Sequence, residues 1–301
     1  MNGFIVRNKL LTGVMVSGLI IIVIIVIVIV GGSSPKATTR GVRPLLVIPG
    51  PKGIVGGTTP NASDRSWVLV NIHGKANLQL INAKTGALGG IIPLSKEART
   101  VAVATGGNVG VGLSSGRSGA IEFFSAVGFA KIGVVALPGP VKDLVAGSNG
   151  TSFYALVDLR GNDSVDVISV KTFRIAGTIP LPSKTVSIAV SPDLATIYAL
   201  QEDGKISLAN GQTGQVTQSF RSAAGGRQIA LSIDGSTLYV LKGGIINDNV
   251  AIINVATEST VAVLPAPAQC QRIAPSLDGT QLLDFVGSAT YGNIQIFATN
   301  R

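Results

Sequence analysis

From Val186 onward the apolar and polar positions fall into short blocks. They read Val186-Ser-Ile-Ala-Val-Ser-Pro-Asp193, Thr196-Ile-Tyr-Ala-Leu200, Lys205-Ile-Ser-Leu208 and Gln215-Val-Thr-Gln-Ser-Phe220. Short runs rich in Val, Ile, Leu and Tyr between small polar turns predict strands. The same plan recurs from Ile229 to Leu264, at a period of roughly 42 residues. Four short strands per repeat at this spacing predict blades stacked around an axis. The expected fold is therefore all-β, a β-propeller.

Blade ends are marked by a strand running into proline: Leu46-Val-Ile-Pro49, Ile91-Ile-Pro93, Val135-Ala-Leu-Pro138, Gly177-Thr-Ile-Pro180 and Ala262-Val-Leu-Pro265, with Phe220 taking that place in the fourth repeat. Proline suits an outer strand because it cannot donate to the ladder. These ends predict six blades, with seven as the alternative. The last repeat, Arg272 to Phe297, stops after its third strand. Leu45-Leu-Val-Ile-Pro-Gly-Pro-Lys52 resembles Val134-Val-Ala-Leu-Pro-Gly-Pro-Val141, a blade end, so the N-terminal strand is expected to complete the last blade and close the ring.

Ser232-Ile-Asp-Gly-Ser-Thr-Leu-Tyr-Val240 with Asn249-Val-Ala-Ile-Ile-Asn254, together with Ser191-Pro-Asp193 and Ser276-Leu-Asp-Gly279, resembles the YVTN-repeat β-propeller family. The likeness runs from about residue 45 onward and is sharp in the last three repeats. In that family a Ser-Pro-Asp-Gly turn joins the first two strands of a blade, and Asp and Gly suit such a hairpin. Here Leu194 replaces the glycine in one copy, and Thr105-Gly-Gly107 and Ser148-Asn-Gly150 stand in for the turn in earlier ones. The resemblance implies surface-layer-like or lactonase-like proteins and supports the fold more than any reaction.

The chain begins differently. Residues 10–30 carry no charge, and Leu19 to Val30 is an unbroken run of Leu, Ile and Val. About 21 residues at ~1.5 Å rise give about 31 Å, enough to cross a hydrocarbon core near 30 Å as a helix. The organisation expected is an N-terminal tail (1–9), a transmembrane signal anchor (10–30), a flexible linker (31–43) and a propeller (44–301). A cleaved signal peptide is the competing expectation, but Val28-Ile-Val-Gly-Gly-Ser-Ser34 is a poor cleavage site. Basic residues flank both sides of the run, and a short tail before a large C-terminal domain places the propeller outside the cell membrane.

Composition changes this picture little. The 301 residues are 46% hydrophobic, and mean hydropathy is +0.48, which excludes a disordered chain. Of the 24 Lys and Arg, five precede the propeller, leaving 19 bases against 15 acids. So mild a surplus, with no aromatic and basic cluster, gives no expectation of nucleic-acid binding. The single His73 and single Cys270 cannot build a nitrogen and sulfur metal site, so no metal and no cofactor is expected. Asn247-Asp-Asn249 and Asn162-Asp163 lack the spaced carboxylates of a calcium loop. Gly112-Leu-Ser-Ser-Gly116 matches a hydrolase nucleophile pattern, but it lies between strands and its histidine precedes it. Trp67 and Cys270 read as core, and His73 as a loop residue.

One feature recurs with the blades. A basic residue follows each outer strand, in the connection to the next inner strand: Lys52, Arg99, Lys142, Lys184, Arg227 and Arg272. Pointing inward together, they would gather positive potential on the axis and bind an anionic ligand. Their differing register argues against a common direction. The reading is a non-enzymatic binding or assembly module at the cell envelope, with a protein or an anionic glycan as partner. A lactonase-like hydrolase acting on a small ester or lactone is the alternative.

Overall fold

The computed structural model describes residues 43–58, 65–221, 223–244, 246–276 and 279–299. These form six four-stranded antiparallel sheets. β1 is Leu46–Pro49. Blade 1 comprises β2 (Ile54–Thr58), β3 (Arg65–Ile72), β4 (Lys75–Asn82) and β5 (Leu88–Pro93). Blade 2 comprises β6 (Glu97–Val103), β7 (Asn108–Ser115), β8 (Ser118–Ser125) and β9 (Lys131–Leu137). Blade 3 comprises β10 (Val141–Ala146), β11 (Ser152–Asp158), β12 (Asp163–Ser169) and β13 (Arg174–Pro180). Blade 4 comprises β14 (Thr185–Val190), β15 (Thr196–Gln201), β16 (Lys205–Asn210) and β17 (Val216–Arg221). Blade 5 comprises β18 (Gly226–Leu231), β19 (Thr237–Lys242), β20 (Asn249–Asn254) and β21 (Ser259–Pro265). Blade 6 comprises β22 (Cys270–Pro275), β23 (Gln281–Gly287) and β24 (Gly292–Ala298). β1 lies antiparallel to β24, Leu46 opposite Ile296 and Ile48 opposite Ile294.

The inner strands meet in the order β2, β6, β10, β14, β18 and β22, and β22 returns to β2. Burial grades outward from there. The second strands are buried on both faces, as in the pattern of β3, where Trp67 and Leu69 pack toward blade 2 while Val68 and Val70 pack toward blade 6. The outer strands β5, β13 and β17 are largely exposed. Because successive side chains point to opposite faces, each sheet feeds two seams. The described apolar core is accordingly divided into six clusters, one at each interface between neighbouring blades. Trp67, buried as expected, meets Phe129 edge-to-face at 5.4 Å. At the seam between blades 6 and 1 the approach is close enough to exclude a side chain: a Cβ on Gly57 would stand 2.2 Å from the Phe285 ring.

The first turn of blades 2 to 6 is also set by the sequence. The residue that donates its N–H back across the turn is Gly107, Gly150, Leu194, Gly235 or Gly279, each left-handed. Leu194 holds φ 62° where its counterpart Gly235 holds 73°, so one blade places a side chain in a conformation that favours glycine.

The span at 10–30 lies outside the described residues. Among the described residues no helix is long and apolar enough to cross a membrane.

Candidate functional site: the axial cavity and its polar floor

Every inner strand carries a bulge near its start, between Ile54 and Gly56, Ala98 and Thr100, Val141 and Asp143, Thr185 and Ser187, Gly226 and Gln228, and Cys270 and Arg272. The residue after the bulge is thereby aimed at the axis. Around the ring these residues are Gly56, Thr100, Asp143, Ser187, Gln228 and Arg272, one per blade. All but Gly56 are polar and form a belt.

Its bonds run from blade to blade because inner strands have no partner on their axial edge, and their N–H groups there need acceptors. Asp143 Oδ2 accepts from Ile188 N at 3.2 Å and Ser187 Oγ at 2.5 Å. Ser187 Oγ accepts from Ile229 N at 3.1 Å, and Gln228 Oε1 from Ile273 N at 2.8 Å. Asp143 Oδ1 accepts from Thr100 Oγ1 at 3.3 Å and from Leu144 N at 2.8 Å. Arg272 crosses the ring. From blade 6 its Nη1 reaches Asp143 Oδ1 of blade 3 at 2.9 Å, and its Nη2 donates to Leu144 O at 3.2 Å. This ion pair closes the axis at the level of the belt.

Beyond the belt, toward the turns between first and second strands, the axis opens into a cavity of about 210 Å³ lined by inner strands of all six blades. Its wall is apolar, with Val103, Val145, Val190 and Leu231 among its residues, its rim carries Thr105, Ser148 and Ser232, and Arg272 stands at its floor. Pleat alternation fixes what the backbone offers. Ala104, Gly147, Ser191 and Ser232 donate their N–H groups to the neighbouring second strand. The residues just before them, Val103, Ala146, Val190 and Leu231, therefore turn their N–H and C=O groups toward the cavity.

The six sequence candidates are not brought together. Arg99, Lys142, Arg227 and Arg272 lie within inner strands rather than in connections, because the bulge lets each strand begin earlier than its apolar run. Arg99, Lys142 and Arg227 occupy the bulge itself, one position short of the belt, and so face away from Arg272. Lys142 and Arg227 instead build two equivalent clamps. Lys142 Nζ meets Asp163 Oδ1 at 2.7 Å and Thr185 O at 3.2 Å, while Asp163 Oδ2 takes Thr185 N at 2.8 Å. Arg227 Nη2 meets Asp248 Oδ2 at 2.7 Å and Cys270 O at 3.2 Å, while Asp248 Oδ2 takes Cys270 N at 3.1 Å. Each clamp holds a basic side chain and an aspartate of one blade to the first inner-strand residue of the next. Lys52 and Lys184 sit in exposed connections, Lys184 with φ 61°.

The remaining candidates fall into place. Ser114 exchanges hydrogen bonds with Val141 N at 3.1 Å and Val141 O at 3.4 Å within the blade 2 and 3 seam. His73 is exposed in the turn after β3. Cys270 is buried, and desolvation pushes its thiol well above the ordinary range, helped by the charges of Asp284 and Asp248. Asp163 and Asp248, whose segments lack the spacing of a calcium loop, are the acid halves of the clamps.

Asp143, Gln228, Thr100 and Ser187 were not expected. Their signal is present once the bulges are aligned: Arg99-Thr-Val-Ala-Val103, Lys142-Asp-Leu-Val-Ala146, Val186-Ser-Ile-Ala-Val190, Arg227-Gln-Ile-Ala-Leu231 and Gln271-Arg-Ile-Ala-Pro275 share a polar second position before a small apolar run.

No protein-family model matches the chain, and neither does any curated protein. Among solved structures it is similar to hydrazine synthase of Kuenenia stuttgartiensis, with a TM-score of 0.59 and 15% sequence identity over 82% of this chain and 76% of that one. At that identity the likeness shows the fold alone, a β-propeller.

Proposed function

We propose that this chain is a non-enzymatic binding module that takes its ligand into the axial cavity from the face of the first turns. The observation that carries this reading is the asymmetry of the axis. One end is filled by hydrogen-bonded side chains, and the other is an apolar-walled hollow with backbone groups turned into it. Small-ligand sites are concave, mostly apolar and furnished with a few placed polar groups. A hydrolase of the lactonase kind would need a base or nucleophile free at the floor. Here the ionised groups at that level, Asp143 and Arg272, hold one another.

The test uses the full chain purified from its native membranes beside an Ala146→Trp variant. Small molecules that co-purify with the wild type and vanish from a variant of unchanged melting behaviour support the cavity. Retention of the same molecules by Ala146→Trp would overturn it.

Attachment to a membrane through residues 10–30, with the propeller outside, is part of the proposal, supported by the uncharged apolar run. Resistance of the full chain to alkaline carbonate extraction is expected, and release into the supernatant would contradict it. A second reading concerns the opposite face, where Lys52, Arg99 and Lys184 are exposed and form no ion pair among the described residues. They suit an anionic glycan or an acidic protein surface. Neutralising all three should abolish retention on a sulfated glycan column at low salt, and unchanged retention would end that reading.

A further inference from the structure

We propose that the axial cavity is selective for a carboxylate carried on a short apolar stem, with Arg272 as its anchor. This rests on the reading of the cavity as the ligand site and adds the chemical class of the ligand.

Arg272 is the one ionised side chain among the described residues lining the cavity. Its guanidinium offers five N–H donors in a planar fork. The bonds to Asp143 Oδ1 and Leu144 O account for two of them. The others leave room for a further acceptor: the side chain lines the cavity and keeps 13% of its surface exposed. Asp143 does not compete for that role. It is 2% exposed, lies outside the cavity wall, and accepts four further hydrogen bonds from Thr100, Leu144, Ser187 and Ile188. Its charge is thus held by the belt as well as by Arg272, and the group presented to a ligand is a donor fork.

Gln228 reinforces the choice of an acceptor. Its oxygen takes Ile273 N and its amide donates to Ile229 O and Ile273 O, so it brings no charge to compete with Arg272. A carboxylate matches the guanidinium fork in two parallel charge-assisted bonds, which a neutral amide cannot reproduce. Above the floor, Val103, Val190 and Leu231 enclose an apolar stem. At about 210 Å³ the hollow is smaller than the ~300–1,000 Å³ of a site for a drug-sized ligand. It suits a short free acid or the last residue of a polypeptide, two sources of one chemistry.

Calorimetric titration of the full chain in detergent tests this with butanoate, butanamide, butylamine, and a tetrapeptide ending in Ala-Val in free-acid and C-terminally amidated forms. Butanoate should bind at least ten-fold more tightly than butanamide and butylamine. The free-acid peptide should exceed its amidated form by a similar factor. Tighter binding of the peptide assigns the site to a chain end, and tighter binding of butanoate assigns it to a small acid. Arg272→Gln should bring acid and amide to parity, and Arg272→Lys should keep part of the preference. Equal binding of butanoate and butanamide by the wild type, or no binding of any acid at millimolar concentration, overturns the inference without recourse to a variant that could misfold. Binding without acid preference that disappears in Ala146→Trp would sink the carboxylate and leave the cavity standing. Acid-selective binding untouched by Ala146→Trp would sink both.

Discussion

Two buried aspartates lie in blades 3 and 6 and meet opposite fates. Asp143, on the axis, accepts hydrogen bonds from five donors, while Asp284, in the seam between blades 5 and 6, is 0% exposed with neither oxygen partnered. Burial, with the Asp248 charge second, pushes Asp284 up to about 8. The difference lies in where the backbone has donors to give. Asp284 lies on β23, which is paired on both edges by β22 and β24, so the sheet faces around it present apolar side chains and few N–H groups. At the axis six unpaired edges converge, and their N–H groups can solvate a carboxylate. This propeller therefore holds a carboxylate on its axis more readily than on the doubly paired second strand of blade 6.

The largest effect tests the frame that brings those edges together. Deleting residues 43–49 removes Ile48 from the core between blades 6 and 1 and bares the edge of β24. The melting temperature should fall far more than on deletion of residues 31–39. Equal losses would argue that β1 does not close the ring.

Next, Asp143→Ala leaves Arg272 facing the belt without its counter-ion. Breaking a buried pair in this way should cost about 3–5 kcal/mol by urea unfolding. Thr105→Ala at the cavity rim should cost under ~0.5 kcal/mol, as expected for an exposed change away from the core. Similar losses at both positions would erase the distinction between the filled and open ends.

Asp284→Asn carries the opposite sign. The unfolded carboxyl loses its proton near the ordinary value of 3.8 and the folded one only near 8, so the unfolded state binds fewer protons between these limits. Stability contributed by this site therefore falls as pH rises from about 4 to about 8. The substitution should stabilise the protein little at pH 4.5 and by an amount on the order of a few kcal/mol at pH 8.5. A gain independent of pH would show that Asp284 is ionised in the fold.

The smallest effect concerns the turns at the cavity end. Gly235→Ala forces a side chain into φ 73° with its Cβ 3.0 Å from Pro192, and should cost about 1–2 kcal/mol. Leu194→Gly relieves the same strain but gives up partial packing against the blade 3 and 4 core, so it should change stability by less than ~1 kcal/mol. A large loss on Leu194→Gly would mean that packing dominates there.

How far the sequence reveals these features follows from the range of the interactions. Blades are legible because strand, turn glycine and terminal proline are local signals: Gly235 and Gly279 mark first turns, and Pro93, Pro180 and Pro265 end outer strands as expected. Trp67 reads as core for the same reason, beside Val68-Leu-Val70, and Cys270 does so because a free cysteine is among the most often buried residue types. The axial site is not local. Arg272 and Asp143 are 129 residues apart and meet only when blade 6 faces blade 3 across the ring. A single bulge residue decides whether a basic side chain enters the belt or stays at its margin, as Arg227 and Arg272 show. The differing register of the six bases, visible in the sequence, is what separates them. Lys142 and Arg227 join blades, and Arg272 alone of the six lies on the axis.

The central claim, an axis open at one end and filled at the other, is tested most directly by the rate at which a small charged methanethiosulfonate labels cysteines placed along it in the full chain. Ala146→Cys, facing the cavity, should react readily. Thr100→Cys, on the belt and 0% exposed, should stay protected like the native Cys270. Rapid labelling of Thr100→Cys, or protection of Ala146→Cys, would contradict the account.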